Sequence, residues 1–517
     1  MPKSLNELIT TIQADQILST NGDLTRPVTA PVVESSREIQ PGGVFVARAG
    51  GSVDGHRFIP DAIAAGAAAI VGETEQSNLA VPYVRVKSAQ QVLGLLSAAY
   101  HDFPSRKLIV IGVTGTDGKT TTCLLLHSIF QHVSDIKAGY ISTISADFGA
   151  ESLATGLHVT TPGASAIQAY LAKMVEAGLT HCILEMTSHG LAQGRLNGVD
   201  IDVAVLTNVM HEHLDYHGSW ESYRAAKAIM FQMLNQSFRK PGVRKWAVIN
   251  ADDPSADYFS AIPADQALTY GIDARSDVRA IDIDNHPFGT RFMVEDQQLD
   301  MRLFGDFNIS NALAALCAAQ ALGLGWGAIR AGIAAVELIP GRMERIDEGQ
   351  DFSAIVDFAH TPNALKRTLE AGRGMLAPGK RLIAVFGSAG LRDVEKRRLM
   401  AEASAQLADM TVLTAEDPRT ESLDDILAMM AEGCIAQGGV EGETFIRVPD
   451  RGEAIYAACK LAEAGDLVMA CGKGHEQSMC FGTVEHPWDD REAMRSALRG
   501  APLNTLPTAR ENHDARD

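Results

Sequence analysis

Residues 107–133 read KLIVIGVTGTDGKTTTCLLLHSIFQHV. The apolar run from Leu108 to Val113 predicts a buried parallel strand, and the residues after Lys119 carry apolar side chains at helical spacing. Strand, glycine loop and helix follow one another without a gap. In that setting backbone N–H groups and a helix N-terminus face phosphates, Lys119 adds a point charge, and the Thr120 hydroxyl suits magnesium. Val113 stands where the common Walker pattern has its first glycine, so the spacing departs from it. The stretch makes Gly115, Thr116, Asp117, Gly118, Lys119, Thr120 and Thr121 candidates for holding the phosphates of ATP.

At 517 residues the chain is too long for one core, so two to four domains are expected, and 46% hydrophobic residues suffice to fill them. Lys and Arg number 45 against 64 Asp and Glu, a formal charge of −19. That balance argues against a general nucleic-acid binder or a protein held on anionic lipid. The 7 cysteines, at 123, 182, 317, 434, 459, 471 and 480, form no CxxC pair. They read as reduced, buried thiols rather than a zinc or disulfide framework. No apolar run is long enough to span a membrane, and the N-terminal stretch carries acids, so a soluble cytoplasmic protein is expected.

The expected fold class is α/β in three domains. Residues 1–103 form a first α/β unit, with strands in GGVFVARAG, AAAIVGE and PYVRV and helices in IPDAIAAGA and AQQVLGLLSAAYHDF. Residues 104–339 alternate strands such as HCILEMT, DVAVLTNV and KWAVIN with helices, the pattern of a doubly wound, mostly parallel sheet around the glycine loop. Residues 340–499 form a third, Rossmann-like unit with strands in SAIVDFAH, RLIAVFGS, MTVLTAED and GDLVMACG. The polar stretch 500–517 is expected to be a mobile tail.

Glu185 ends one buried strand in LEMTSHG, and TNVMHEHLDYHG ends another, so both clusters belong at the carboxyl edge of the sheet beside the glycine loop. The histidines and acids at 211–217 match no usual zinc spacing, and oxygen-rich surroundings near phosphates favour magnesium. Lys227, in SYRAAKAIMF, reads by spacing alone as a surface lysine lying along an amphipathic helix.

These segments, together with TTPGA, GDFNISNALAA, PGRMERI, VDFAHTPNAL, SAGLRDVEKRRLM and GKGHE, occur in the order found in Mur ligases. The resemblance covers nearly the whole chain, and it is strongest to members that add the third residue of the peptidoglycan stem peptide. It implies transfer of the ATP γ-phosphate to the D-glutamate carboxylate of UDP-MurNAc-L-Ala-D-Glu. The resulting acyl phosphate is then attacked by the amine of a diamino acid. It further implies that Thr120 and Glu185 ligate one magnesium, and that Glu185, His213 and Lys227 serve a second. Lys227 would then be carbamylated, since a plain ammonium repels a metal. Lys119, Glu185, His213 and Lys227 are thus the implied catalytic set. Asn308, Asn311, Arg342, Asp357 and His360 match positions around the nucleotide. Thr160, Thr161, Ser188 and Arg195 match those that grip the muramoyl peptide, and Ser36 matches the uridine contact. The partners are small molecules, with no nucleic acid or membrane span, and a monomer is favoured.

For the incoming amino acid, Arg392, Asp417, Arg419, Gly472 and Glu476 match the family's pocket. TAEDPRTESL stands where these members usually read Asp-Asn-Pro-Arg when they use meso-diaminopimelate. Arg419 suits a distal carboxylate. Glu416 and Asp417 add negative charge that suits the bare ammonium of ornithine or lysine instead. Pairing of Asp417 with Arg419 would leave the pocket nearly neutral, so both classes of diamino acid stay open. Rival readings are a folylpolyglutamate-synthase-like ligase, a non-catalytic ATP-binding regulator and a P-loop kinase. The N-terminal unit and GKGHE argue against the first, the joint presence of Glu185, His213 and Lys227 against the second, and the amine-binding C-terminal unit against the third.

Overall fold

The structure is a computed structural model that describes residues 2–50, 53–149, 151–154, 161–210, 214–286 and 289–510. The described chain gathers into two compact units, one made of residues up to 210, 219–279 and 310–332, the other of 214–218, 280–309 and 333–510.

Besides the short pair Lys3–Ser4 with Pro27–Val28, the described part of the first unit holds a smaller and a larger sheet. In the smaller, Tyr83–Val86, Ala69–Gly72, Val44–Val46 and Val32–Val33 run parallel in that order, with Ile17–Asn21 antiparallel at the edge. The helix Ala89–Tyr100 begins where the Ser88 side chain accepts from the Gln91 N–H. It buries Val92, Leu93, Leu96 and Ala99 with Val44, Val46, Val84 and Val86 of the sheet. Its Gly94 lies against the Asn197 carbonyl of the next sheet's layer, so closely that a side chain there would collide with backbone.

The larger sheet is built on Ile109–Thr114, the strand read first in the sequence. Ile111 pairs in parallel with Ile183 of His181–Glu185 on one side and with Val203 of Val203–Leu206 on the other. Trp246–Asn250 and Gln266–Gly271 continue the parallel array, and Ala138–Ile141 lies beyond His181–Glu185. Helices including Lys119–Gln131, Ala164–Glu176 and Trp220–Gln236 cover the faces. Buried on both sides, Ile109–Thr114, His181–Glu185, Val203–Leu206 and Trp246–Asn250 are near-continuous apolar runs, which is why they are legible without alternation, whereas Gln266–Gly271 is exposed at its start.

The strand Val278–His286 leaves the first unit after Arg279. In the second unit it continues into an antiparallel meander with Gly289–Val294 and Gln297–Met301. The expectation of a mostly parallel sheet stands, but no strand of this antiparallel meander is read from the sequence. Its signal is a period-two alternation, with Phe292, Val294, Leu299 and Met301 buried between exposed Arg291, Asp300 and Arg302.

Besides the hairpin of Ser478–Phe481 with Val484–Pro487, the second unit holds a sheet that runs Glu344–Ile346, Ser353–Asp357, Leu467–Cys471, Leu382–Phe386, Met410–Leu413, Phe445–Arg447, all parallel except the first pair. Every strand read in this segment of the sequence is present. Arg451 and Asp490 form a bidentate ion pair at 2.7 Å that is wholly excluded from solvent. Trp488 Nε1 also donates to Asp490, and the Arg451 guanidinium donates to the Ala415 and Cys471 carbonyls, bracing two strand ends. The tail expectation needs correction for 500–510. Leu506 is 2% exposed within the core, Leu503 packs beside it, and Thr508 donates to Asp450. Two leucines supply the apolar mass that composition averaged away.

Replacing Arg451 by Met leaves the Asp490 carboxylate buried without its cation. The expected cost is about 3–5 kcal/mol, read as a lower denaturant midpoint at unchanged slope. Restoring stability by the double replacement Arg451→Met with Asp490→Leu checks that the lost charge balance is the cause.

Candidate functional site

Parallel pairing in register places the ends of three neighbouring strands at one level, with Glu185 opposite Val113 and Leu206 opposite Thr114. The glycine loop therefore emerges between the Glu185 and Asn208 loops. Gly115 lies at φ +158 and Gly118 at φ +81, both unfavourable for a side chain. A Cβ on Gly115 would strike Thr207 Oγ1, and one on Gly118 would strike Asn311 Oδ1. Asn208 braces the loop, its carbonyl accepting from the Thr116 N–H and its Oδ1 from the Asp117 N–H, at 2.8 and 2.9 Å. Thr207 Oγ1 donates to the Asp117 carbonyl at 2.6 Å. Lys119 opens the helix and its Nζ donates to the Gly115 and Thr116 carbonyls, at 3.1 and 2.7 Å. Thr120 and Thr121 are buried in the first turn.

Thr120 Oγ1 donates to Glu185 Oε2 at 2.9 Å, and the Thr143 N–H and hydroxyl reach the same carboxylate at 3.0 Å each. Thr143, in the loop after Ala138–Ile141, is a partner that spacing could not reveal. Lys227 overturns the surface reading: it is 1% exposed, and its Nζ donates to the Gly115 carbonyl at 2.5 Å. The Tyr223 ring lies 4.3 Å from that nitrogen, and Tyr223 Oη is 3.1 Å from Thr116 Oγ1. A hydroxyl and a carboxylate at the loop mouth form an oxygen donor set suited to a hard divalent cation. His213 and Thr160 lie outside the described residues.

Thr161 Oγ1 donates to the Glu185 carbonyl and meets Thr187 Oγ1 at 2.9 Å, while Arg195 Nη1 donates to the Thr161 carbonyl at 2.7 Å. Ser188 starts the short helix Ser188–Ala192 on the same rim. The structure thus brings Thr161, Ser188 and Arg195 together with Glu185. Ser36 sits on a turn after Val32–Val33, and next to it Glu34 pairs with Arg48 at 2.6 Å.

In the second unit, Asn308 Nδ2 donates to the Phe304 carbonyl at 2.8 Å. Arg342 stacks on Phe358 at 4.4 Å, and its Nε has no hydrogen-bond partner among the described residues. Asp357 ends its strand and accepts from the Met343 and Ala359 N–H groups at 2.7 and 2.8 Å. Burial raises its carboxyl against the opposing pull of Arg342. His360 Nδ1 is 2.9 Å from the Phe358 carbonyl.

Most of the residues expected to take the amino acid follow the strand ends after Leu413 and Cys471. Asp417 does not pair with Arg419. Lys473 Nζ binds both its oxygens, at 3.1 and 3.2 Å, and the Cys480 N–H donates at 2.9 Å. Lys473 also pairs with Glu476, and these two carboxylates outweigh burial and raise its ammonium. Arg419 is left with Gly390 O as the acceptor of its Nη1 and no carboxylate among the described residues. Asp417 and Arg419 both have positive φ, at +42 and +53. The hairpin 478–487 holds them, Cys480 O accepting from the Arg419 N–H and Arg419 O from the Gly482 N–H. Gly472, at φ +114, lies against Glu416, and Arg392 is exposed.

Gly118→Ala forces Asn311 aside and strains a left-handed backbone position. A loss of about tenfold or more in ATP affinity is expected, measured by calorimetric titration, with the melting temperature as a control for folding.

The chain matches family models described as the Mur ligase middle domain over 113–319, the Mur ligase glutamate ligase domain over 341–474, and the Mur ligase family catalytic domain over 32–101. It is 42% identical over 488 residues to a UDP-N-acetylmuramyl-tripeptide synthetase of Roseiflexus sp. (strain RS-1), covering 91% of this chain and 95% of that one. It is 38% identical over 470 residues to a UDP-N-acetylmuramoyl-L-alanyl-D-glutamate–2,6-diaminopimelate ligase of Geobacillus thermodenitrificans, with 90% and 94% covered. A solved structure of a ligase with that same description superposes with a TM-score of 0.64 at 32% identity, covering 96% of this chain and 99% of that one. On this agreement of fold, site and sequence, the chain belongs to the Mur ligase family.

Proposed function

We propose that this chain is an ATP-dependent acid–amino-acid ligase, a UDP-N-acetylmuramoyl-tripeptide synthetase of the MurE type that joins meso-diaminopimelate to UDP-MurNAc-L-Ala-D-Glu. The observation that carries the reading is the set of Thr120, Glu185 and buried Lys227 at the mouth of the glycine loop. A carboxylate resists nucleophiles because of its charge and its poor leaving group, and phosphorylation removes both obstacles. Two anions must approach in that step, so cations must screen them. Lys119 and the first-turn N–H groups of the helix Lys119–Gln131 would cradle the phosphates. Magnesium held by Thr120 and Glu185 would supply the remaining positive charge. Lys227, converted to a carbamate, would present an anionic oxygen to a second ion together with Glu185 and His213. Thr161, Ser188 and Arg195 would hold the muramoyl peptide, Ser36 the uridine, and Asn308, Asn311, Arg342, Asp357 and His360 the nucleotide. In this reading residues 1–103, 104–339 and 340–499 serve uridine, ATP and amino acid in turn.

The choice of diaminopimelate rests on Arg419. Because Lys473 neutralises Asp417, the Arg419 guanidinium has no carboxylate partner among the described residues and suits a carboxylate from the substrate. Ornithine and lysine lack that group.

The expected outcome is release of ADP and phosphate only when the UDP-muramoyl dipeptide and diaminopimelate are both present, assayed by coupled phosphate detection. Turnover with a folate instead would overturn the assignment. In a panel of diaminopimelate, lysine and ornithine, Arg419→Ala is expected to raise KM for diaminopimelate about a hundredfold and leave lysine kinetics nearly unchanged. Lys227→Ala is expected to lower ligation by about a hundredfold or more and to regain part of it with added short-chain carboxylates.

A further inference from the structure

Met429, on the helix Leu423–Ala436 of the second unit, is 37% exposed and is the only exposed methionine among the described residues. Its Sδ accepts from Arg397 Nη1 at 3.4 Å, a side chain of the helix Glu395–Leu407. Arg397 is 1% exposed, and its Nε is buried with no hydrogen-bond partner among the described residues. A thioether is a weak acceptor, whereas buried guanidinium N–H groups are ordinarily satisfied by oxygen. Among the described residues the Arg397 side chain has one strong acceptor, Glu421 Oε2, which takes Nη2 at 2.5 Å. The thioether is the other, so this buried cation depends on an atom that solvent can reach.

Glu421 carries the contact onward. Its Oε1 accepts from the Leu391 N–H at 2.5 Å. Leu391 is exposed and held at φ +56, a left-handed position that a leucine keeps only where its neighbours impose it. The preceding residue, Gly390, donates its N–H to the Asp417 carbonyl at 3.0 Å and offers its own carbonyl to Arg419 Nη1 at 3.0 Å. A Cβ on Gly390 would strike the Pro418 carbonyl, so this turn has little room to shift without moving the Asp417–Arg419 segment. An exposed sulfur, a buried cation, a strained turn and the Arg419 guanidinium thus form one continuous chain within the second unit.

We propose that Met429 is an oxidation site, and that its conversion to the sulfoxide by a hydroperoxide loosens the Leu391 turn and with it the hold on Arg419. A sulfur lone pair attacks the outer peroxide oxygen, and an S–O bond forms as the O–O bond breaks. The proton of the attacked oxygen passes to the departing one, which leaves as an alcohol, or as water from hydrogen peroxide. Sulfur is oxidised and the peroxide is reduced. The product no longer fits the contact it replaces. Turned inward, the new oxygen enters between two atoms only 3.4 Å apart and pushes the guanidinium away. Turned outward, it leaves an electropositive sulfur facing a cation. In both cases Arg397 shifts against Glu421, and the Leu391 N–H loses the carboxylate that Arg397 positions. The effect on diaminopimelate rests on the ligase reading above, whereas the loosening of the turn does not.

The test treats the full-length protein with hydrogen peroxide. Peptide mass spectrometry is expected to find the added oxygen at Met429 before the buried Met400 and Met430. Hydrogen exchange at the Leu391 amide is expected to quicken about tenfold, and KM for diaminopimelate to rise about fivefold with kcat nearly unchanged. A mixture of the two methionine sulfoxide reductases, one for each epimer, should reverse both changes. Met429→Leu should show no further change on peroxide treatment. Met429→Gln, which presents an oxygen permanently, should show the fast exchange without peroxide. Oxidation spread evenly over the methionines, a sulfoxide at Met429 with Leu391 exchange unchanged, a peroxide effect that persists in Met429→Leu, or an unmoved KM in an enzyme that uses diaminopimelate would each overturn the proposal. Failure of the untreated enzyme to use diaminopimelate would instead sink the ligase reading, and Leu391 exchange would still decide the oxidation site.

Discussion

The in-register parallel pairing of Ile109–Thr114 with its two neighbours is the constraint from which the rest of the first unit follows. A slip of one residue in any of these strands would exchange its two faces and set each side chain against the wrong covering layer, which close packing resists. The register therefore fixes where each strand stops. Because Thr114, Glu185 and Leu206 stop together, the glycine loop, the Glu185 carboxylate and the bracing Asn208 have no choice but to meet. Chemistry here is a by-product of how three apolar segments end.

The second unit solves a different problem, which is to place many charges at a dry sheet rim. Asp490 anchors Arg451, and Arg451 ties the Ala415 and Cys471 carbonyls, so the flanking Glu416 and Gly472 are set by a rigid brace. Lys473 neutralises Asp417 from below the same rim. Left-handed backbone at Asp417 and Arg419 is costly on its own and persists because the hairpin 478–487 supplies hydrogen bonds to both. Such over-determination holds the Arg419 guanidinium on the Gly390 carbonyl with no carboxylate partner among the described residues.

Much of this was legible beforehand. Strands buried on both faces, such as His181–Glu185 and Leu467–Cys471, announce themselves as apolar runs, and the glycine loop as a spacing. The antiparallel meander escaped because half-buried strands carry only alternation. Lys227 is the sharpest case: helical spacing alone assigns it to the surface, and only the resemblance pointed inward, where the structure buries it on the Gly115 carbonyl. Thr143, Asn208 and Lys473 were invisible for a common reason. Each acts through contacts 42 to 91 residues away in sequence, and no local pattern encodes those. The Asp417–Arg419 pairing left open by the sequence is not formed, because nearness in sequence said nothing about the lysine arriving from beyond another strand.

All seven cysteines are buried with free thiols, and burial raises each of them above the ordinary thiol range. A thiolate-seeking reagent consequently finds little to attack on the native surface. The sulfur atoms are distributed over both units, with Cys123, Cys182 and Cys317 in the first and the other four in the second. Alkylation followed position by position would thus act as an intrinsic clock for local opening, timing each half of the molecule separately without any introduced label.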